Sequence, residues 1–185
     1  NLLEGSYQIN AERTGHAATQ IRANAGSTTA DIVMARTGTI FGRVVDASSY
    51  EPVSNFSILL VNPNRRYQPY MDRDFKAYFD EDGGFEIAGA FPGSVQLMVR
   101  ADGYADVTVP VDGIVSDGTL ENVEIALEAG LLLTGTVVNS SGNPLAGAFV
   151  YVGSVPQYEW DRERAAKVTT DSEGRYVLRS LRAGE

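Results

Sequence analysis

Phe85 and Ile87 alternate with Glu86 and Ala88, and Val95, Leu97 and Val99 alternate with Gln96 and Met98. A period of two marks a strand with one buried face. Over residues 38–130 this pattern predicts strands at about 38–46, 56–62, 74–80, 84–88, 94–100, 104–111 and 121–128. The inward positions are Val44, Ile58, Leu60, Phe85, Ile87, Val95, Leu97, Val99, Val123, Ile125 and Leu127. Asp46 to Pro52, Asp82-Gly83-Gly84, Pro92-Gly93, Asp102-Gly103 and Asp112-Gly113 supply the turns between them. No stretch carries a convincing helical period, although 63–73 has room for a single turn. Seven short strands at this spacing predict an antiparallel β-sandwich with Greek-key connections.

The pattern repeats. DEDGGFEIAGAFPG (80–93) returns as DSEGRYVLRSLRAG (171–184), with Asp80 on Asp171, Gly83 on Gly174, Phe85 on Tyr176 and Ile87 on Leu178. GSYQINAERTGH (5–16) lies on GSVQLMVRADGY (93–104), and Gly42-Arg43-Val44-Val45 with Pro52 recurs as Gly135-Thr136-Val137-Val138 with Pro144. Three segments follow: 1–37, the C-terminal part of a first copy with strands over about 6–12, 16–22 and 30–36; 38–130, one complete copy; and 131–185, the first four strands of a third. No Gly, Ser or Pro-rich linker separates them, so a stiff head-to-tail rod is expected. The chain begins just before a fifth strand and ends after a fourth. Its end copies then need strands either from the same polypeptide or from another molecule, the latter giving homo-oligomers or filaments.

Charge and composition remove several functions. Fifteen basic against 24 acidic side chains give a net charge of −9, which disfavours nucleic acid and anionic lipid. The absence of cysteine excludes disulfides and cysteine-built zinc sites. No apolar run approaches the roughly 20 residues of a membrane span. The one histidine, His16, stands where the next copy has Tyr104, and neither a phosphate-cradling GxxxxGK nor a GxSxG elbow is present. Nothing in the chain selects a catalytic set, and none is assigned.

Two binding features remain. The acidic turns offer Asp80, Asp82, Asp171 and Glu173 as oxygen ligands for Ca²⁺; alternatively Asp80 and Asp171 accept hydrogen bonds from turn amides. The loops 63–76 and 155–167 place Tyr67 on Tyr158 and Arg73 on Arg164, with Tyr70 and Trp160 adding apolar surface. Aromatic and arginine side chains on a long loop suit a glycan or peptide ligand. The same residues would equally serve to cover a sheet edge or to pack on a neighbouring copy.

The order of GxVV, Pro, an apolar strand, DxxGxF or DxxGxY, then PG or AG and Gly103-Tyr104 resembles the carboxypeptidase regulatory-like domain, an immunoglobulin-like, transthyretin-like β-sandwich. The resemblance implies an all-β chain of tandem seven-stranded sandwiches. It also implies a non-catalytic structural or interaction module of a larger secreted or cell-surface bacterial protein, with no cofactor beyond a candidate Ca²⁺ and with neighbouring copies as its first partners. A ligand-binding accessory module using the aromatic loops is the alternative.

Overall fold

The computed structural model describes residues 3–62, 74–152 and 167–182. The complete copy has seven strands: β3 (Gly38–Asp46), β4 (Asn55–Val61), β5 (Lys76–Phe79), β6 (Gly84–Ala90), β7 (Gly93–Arg100), β8 (Val107–Ile114) and β9 (Thr119–Leu127). They form two facing sheets, one in the order β6-β3-β9 and one in the order β5-β4-β7-β8. Between them lie Ile40, Val44, Phe56, Ile58, Phe85, Ile87, Val95, Leu97, Val99, Ile125 and Leu127, all buried. Leu60 and Val123, expected inside, are partly buried against this core. Ile40 and Phe56 belong to it as well: each shares the phase of a neighbouring core residue, Val44 and Ile58, on the same strand.

All pairings in this sandwich are antiparallel except one. β3 and β9 run parallel, with Thr39 opposite Thr119 and Asp46 opposite Leu127. The reason is parity: seven strands of alternating direction leave the first and the last pointing the same way, so they pair in parallel wherever they are neighbours. The chain therefore enters at one end of the sandwich and leaves at the other.

The flanking segments repeat parts of this frame. In the first copy β1 (Ser6–Ala11) pairs with β2 (Thr19–Asn24), Tyr7 opposite Ala23 and Ile9 opposite Ile21. Adding 88 to each number gives the register of β7 with β8, Val95 opposite Val111 and Leu97 opposite Val109. The third strand expected over 30–36 is not one; only Arg36 forms a bridge, to His16. In the complete copy the equivalent strand, β9, takes its ladder from β3, and no such neighbour stands beside residues 30–36 among the described residues.

In the third copy β10 (Leu131–Thr136) pairs with β13 (Arg175–Leu181), and β11 (Phe149–Tyr151) with β12 (Lys167–Thr169). Gly135 opposes Tyr176 as Gly42 opposes Phe85. Phe149, opposite Thr169, takes the place that Phe56 holds opposite Tyr78. Phe56 is 1% exposed and Phe149 is 69% exposed; the two sheets of the third copy have two strands each among the described residues, against three and four in the complete copy.

Candidate functional site: motif turns, an edge cleft and the copy junctions

The motif shared by the complete and third copies resolves into a backbone network. Asp80 Oδ1 accepts from the amides of Asp82 at 3.0 Å and Gly84 at 2.9 Å, while its carbonyl accepts from Gly83 N–H. Gly83 then accepts from Val44 N–H at 2.9 Å, and Val44 accepts from Val53 N–H just beyond Pro52. The third copy repeats every bond: Asp171 Oδ1 accepts from Glu173 and Arg175, Gly174 from Val137, and Val137 from Leu145. Gly83 and Gly174 sit at φ 72° and 73°, where a side chain is strained, and a Cβ on either would also strike the first-strand carbonyl. The turn is thus fastened to the first strand of its own copy.

Asp80 and Asp171 therefore each spend one carboxylate oxygen on turn amides, one of the two roles their spacing suggested. The Glu173 carboxylate pairs with Arg175 at 2.6 Å. Among the described residues no group of three or more His, Cys, Asp or Glu lies together as a metal site would require.

Asp46 builds a second turn. Its Oδ1 accepts from the amides of Ser48 at 2.7 Å and Ser49 at 2.9 Å, and Asn139 does the same for Ser141 and Asn143 in the third copy. The amides of Ser49 and Ser48 hold the Asp46 carboxyl below the usual carboxylate range, and the Tyr104 hydroxyl acts in the same direction. Burial pushes the Tyr104 hydroxyl up, and the Asp46 carboxylate adds to the effect. Tyr104, the aromatic of the Gly-Tyr motif, thereby couples the turn after β7 electrostatically to the turn after β3.

On the open side of the sandwich, between β5 and β6, lies a cleft of about 310 Å³ lined by Ile58, Leu60, Lys76, Tyr78, Ile87 and Ala88 among others. Tyr78 stacks on Phe56 at 5.4 Å between ring centres and meets Phe85 edge-on at 6.3 Å. Its hydroxyl donates to Glu86 O at 2.9 Å, and Lys76 Nζ donates to the same carbonyl at 3.3 Å while lying over the Tyr78 ring. Two side chains from one sheet edge thus satisfy a carbonyl on the other. Tyr78 was not singled out from sequence, although it alternates with Lys76 on a strand whose partner, β4, is strongly apolar. Tyr67, Tyr70, Arg73, Tyr158, Trp160 and Arg164, like the candidate helical turn over 63–73, lie outside the described residues.

Just before each junction, one recurring clasp closes the end of the copy on itself. At the first, Ala17 N–H donates to Ala35 O at 2.8 Å and Thr37 N–H to Gly15 O at 3.0 Å. At the second, Ala105 N–H donates to Glu128 O at 2.9 Å and Gly130 N–H to Gly103 O at 2.8 Å. The bridges His16 to Arg36 and Tyr104 to Ala129 mark the same place. His16 is a junction residue, its Nδ1 donating to Thr14 O at 3.3 Å. Side chains then bind copy to copy: Arg36 forks onto both oxygens of Asp117 at 3.1 Å, Ser116 Oγ donates to Arg36 O, and Arg182 Nη2 donates to Asp106 O.

The model of the carboxypeptidase regulatory-like domain family matches residues 39–128 and 133–185, and the chain belongs to that family. No curated protein matches it. Among solved structures, a streptococcal ancillary pilin is 13% identical, covers 97% of this chain and 64% of its own, and gives a TM-score of 0.36. The minor pilin GBS52 of Streptococcus agalactiae is 18% identical, with 69% and 61% covered and a TM-score of 0.40. Hydroxyquinol 1,2-dioxygenase of Pseudomonas putida is 14% identical, with 50% and 56% covered and a TM-score of 0.37. The chain spans less than two thirds of each of these proteins. Pilins and an enzyme stand side by side at these scores, so the likeness does not separate one function from the other.

Proposed function

We propose that the chain is a non-catalytic structural and interaction module that spaces or connects parts of a larger secreted or cell-surface bacterial protein. The observation that carries this reading is the set of contacts that cross from copy to copy: Arg36 on both oxygens of Asp117 at the first junction, and Arg182 on Asp106 O at the second. Contacts across both junctions, with no flexible linker between the copies, hold each copy against the next. Family membership supports the same reading, and so does the use of the motif residues themselves: they hold turns to strands rather than converging on a reacting centre. The first partners are neighbouring copies. Homo-oligomers formed by strand completion belong to the same reading, supported by the exposed Phe149 in the third copy and the apolar stripe Tyr7, Ile9 and Ile21 in the first. A monomer in light scattering would remove that part.

Stiffness is tested directly with spin labels at Gln8→Cys and Gln96→Cys, equivalent exposed positions in two copies of a chain that has no other cysteine. A single narrow distance distribution is expected. A broad one would sink the spacer.

A ligand-binding accessory role is the second reading, favoured by the edge cleft beside Lys76 and Tyr78. Glycan or peptide bound by Tyr67, Tyr70, Arg73, Tyr158, Trp160 and Arg164 would shift the fluorescence of Trp160, and an unchanged spectrum across a glycan and peptide panel would count against it.

A further inference from the structure

We infer that the complete copy is a tension-bearing clamp whose first and last strands are loaded in shear when the chain is pulled along its length. The inference rests on the spacer reading, because a spacer is a segment pulled from both ends. Force from the first copy reaches Gly38, the start of β3, and force from the third reaches Leu127, the end of β9. These two strands are hydrogen-bonded neighbours and parallel, paired from Thr39 opposite Thr119 to Asp46 opposite Leu127, with one bulge between Ile40 and Gly42 and an unbroken register from Gly42 to Asp46. The ladder is closed beyond the strand ends, by Thr39 N–H to Gly118 O at 3.0 Å and by Ala47 N–H to Leu127 O at 2.9 Å.

Pulling Gly38 backwards and Leu127 forwards slides parallel strands past one another along their axes. Their hydrogen bonds cross that direction, so the whole ladder is strained together and no bond can open ahead of the rest. An antiparallel pair pulled from adjacent ends opens one bond at a time, as β3 and β6 would from Gly38 and Ala90. Sliding also meets the core. Val44 and Ile125 are opposed in register and buried, and neither strand shifts by a residue without sending an apolar side chain to the wrong face. The remaining strand pairings of the sandwich lie between these two strands in the chain and carry no load until the clamp gives; only the two backbone bonds of Glu128 and Gly130 to Ala105 and Gly103 stand ahead of the ladder on the side of the third copy. Forced unfolding follows the height of the unfolding barrier, and this geometry places the barrier at the ladder that the load meets first.

The chain has no cysteine, so paired handles are unique. Ala35→Cys with Ala129→Cys pulls across the clamp, and Ala35→Cys with Ala88→Cys peels β3 from β6; all three alanines are exposed. In optical-tweezer measurements on the 185-residue chain at one loading rate, the 35–129 pair should rupture at several-fold higher force than the 35–88 pair. Equal forces, or a weaker 35–129 pair, would overturn the clamp while leaving a narrow spin–spin distance, and with it the spacer, untouched. A broad distance distribution with the high force ratio intact would remove the spacer and keep the clamp.

Discussion

Gly42 lies directly under the ring of Phe85. A Cβ at residue 42 would stand 2.5 Å from Phe85 Cζ, and it would also strike the carbonyl of Val123 on β9. Gly135 lies in the same way under Tyr176, whose Oη would be 2.5 Å from the added atom. The first glycine of GxVV and the aromatic of DxxGxF are thus one feature seen from two strands. The ring needs the bare backbone opposite it.

That relation predicts a difference between copies. Gly42→Ala meets a backbone atom that cannot move and should cost about 3 kcal/mol or more, whereas Gly135→Ala meets the end of a tyrosine ring that can and should cost about 1 kcal/mol. Urea denaturation followed by circular dichroism measures both.

The acidic turns predict a response to side-chain chemistry rather than to metal. Asp80→Ala and Asp171→Ala each strip an acceptor from two amides and should destabilise their copy by about 1 kcal/mol, the amides being open to water. Asp80→Asn keeps an oxygen in place and should restore most of the loss. The melting temperature should not change between excess Ca²⁺ and chelator; a rise with Ca²⁺ would instead establish a site at Asp80, Asp82, Asp171 or Glu173.

Asp46 and Tyr104 predict opposite pH limits. The folded Asp46 carboxyl lies below its ordinary 3.8, so its contribution is full above the unfolded value and is lost as pH falls through the folded one. The folded Tyr104 hydroxyl lies above its ordinary 10.0, so its contribution is full below that value and is lost as pH rises through the folded one. Asp46→Asn should flatten the acid limb of stability against pH, and Tyr104→Phe the alkaline limb. The third copy already carries the neutral Asn139 in this turn, so its acid limb should lack the step.

Alternation was enough to find the strands of the complete copy and most of its core, because one face of each strand is buried and the side-chain period is two. Alternation does not say which strands are neighbours. The parallel pairing of β3 with β9 follows from parity only once they are known to be adjacent. Residues 30–36 fail as a strand for the converse reason: they have the pattern but no ladder to join. The junction clasp left no side-chain signature, since it is made of main-chain groups at Ala17, Thr37, Ala105 and Gly130. The acidic motif was visible, and the choice between cation ligand and turn acceptor needed the positions of the amides. The cleft beside Tyr78 was invisible because it is formed by two strands distant in sequence.

Leu97 and Ile9 hold equivalent places, opposite Val109 and Ile21, yet they stand on different energetic ground. Leu97 is fully buried between two sheets. Ile9 is half-buried on a two-stranded ribbon. Truncating Leu97 leaves a cavity in a closed core and should cost about 2–5 kcal/mol. Truncating Ile9 removes contacts from a face that is already partly open and should cost about 1 kcal/mol or less. The two losses should also differ in reach. Leu97→Ala should lower the main unfolding transition, because every strand of the complete copy borders its core. Ile9→Ala should leave that transition in place and speed hydrogen exchange only in β1 and β2. A common drop in the main transition for both variants would mean that the ribbon and the sandwich unfold as one unit, with the Arg36–Asp117 and Ser116–Arg36 contacts transmitting the loss between them.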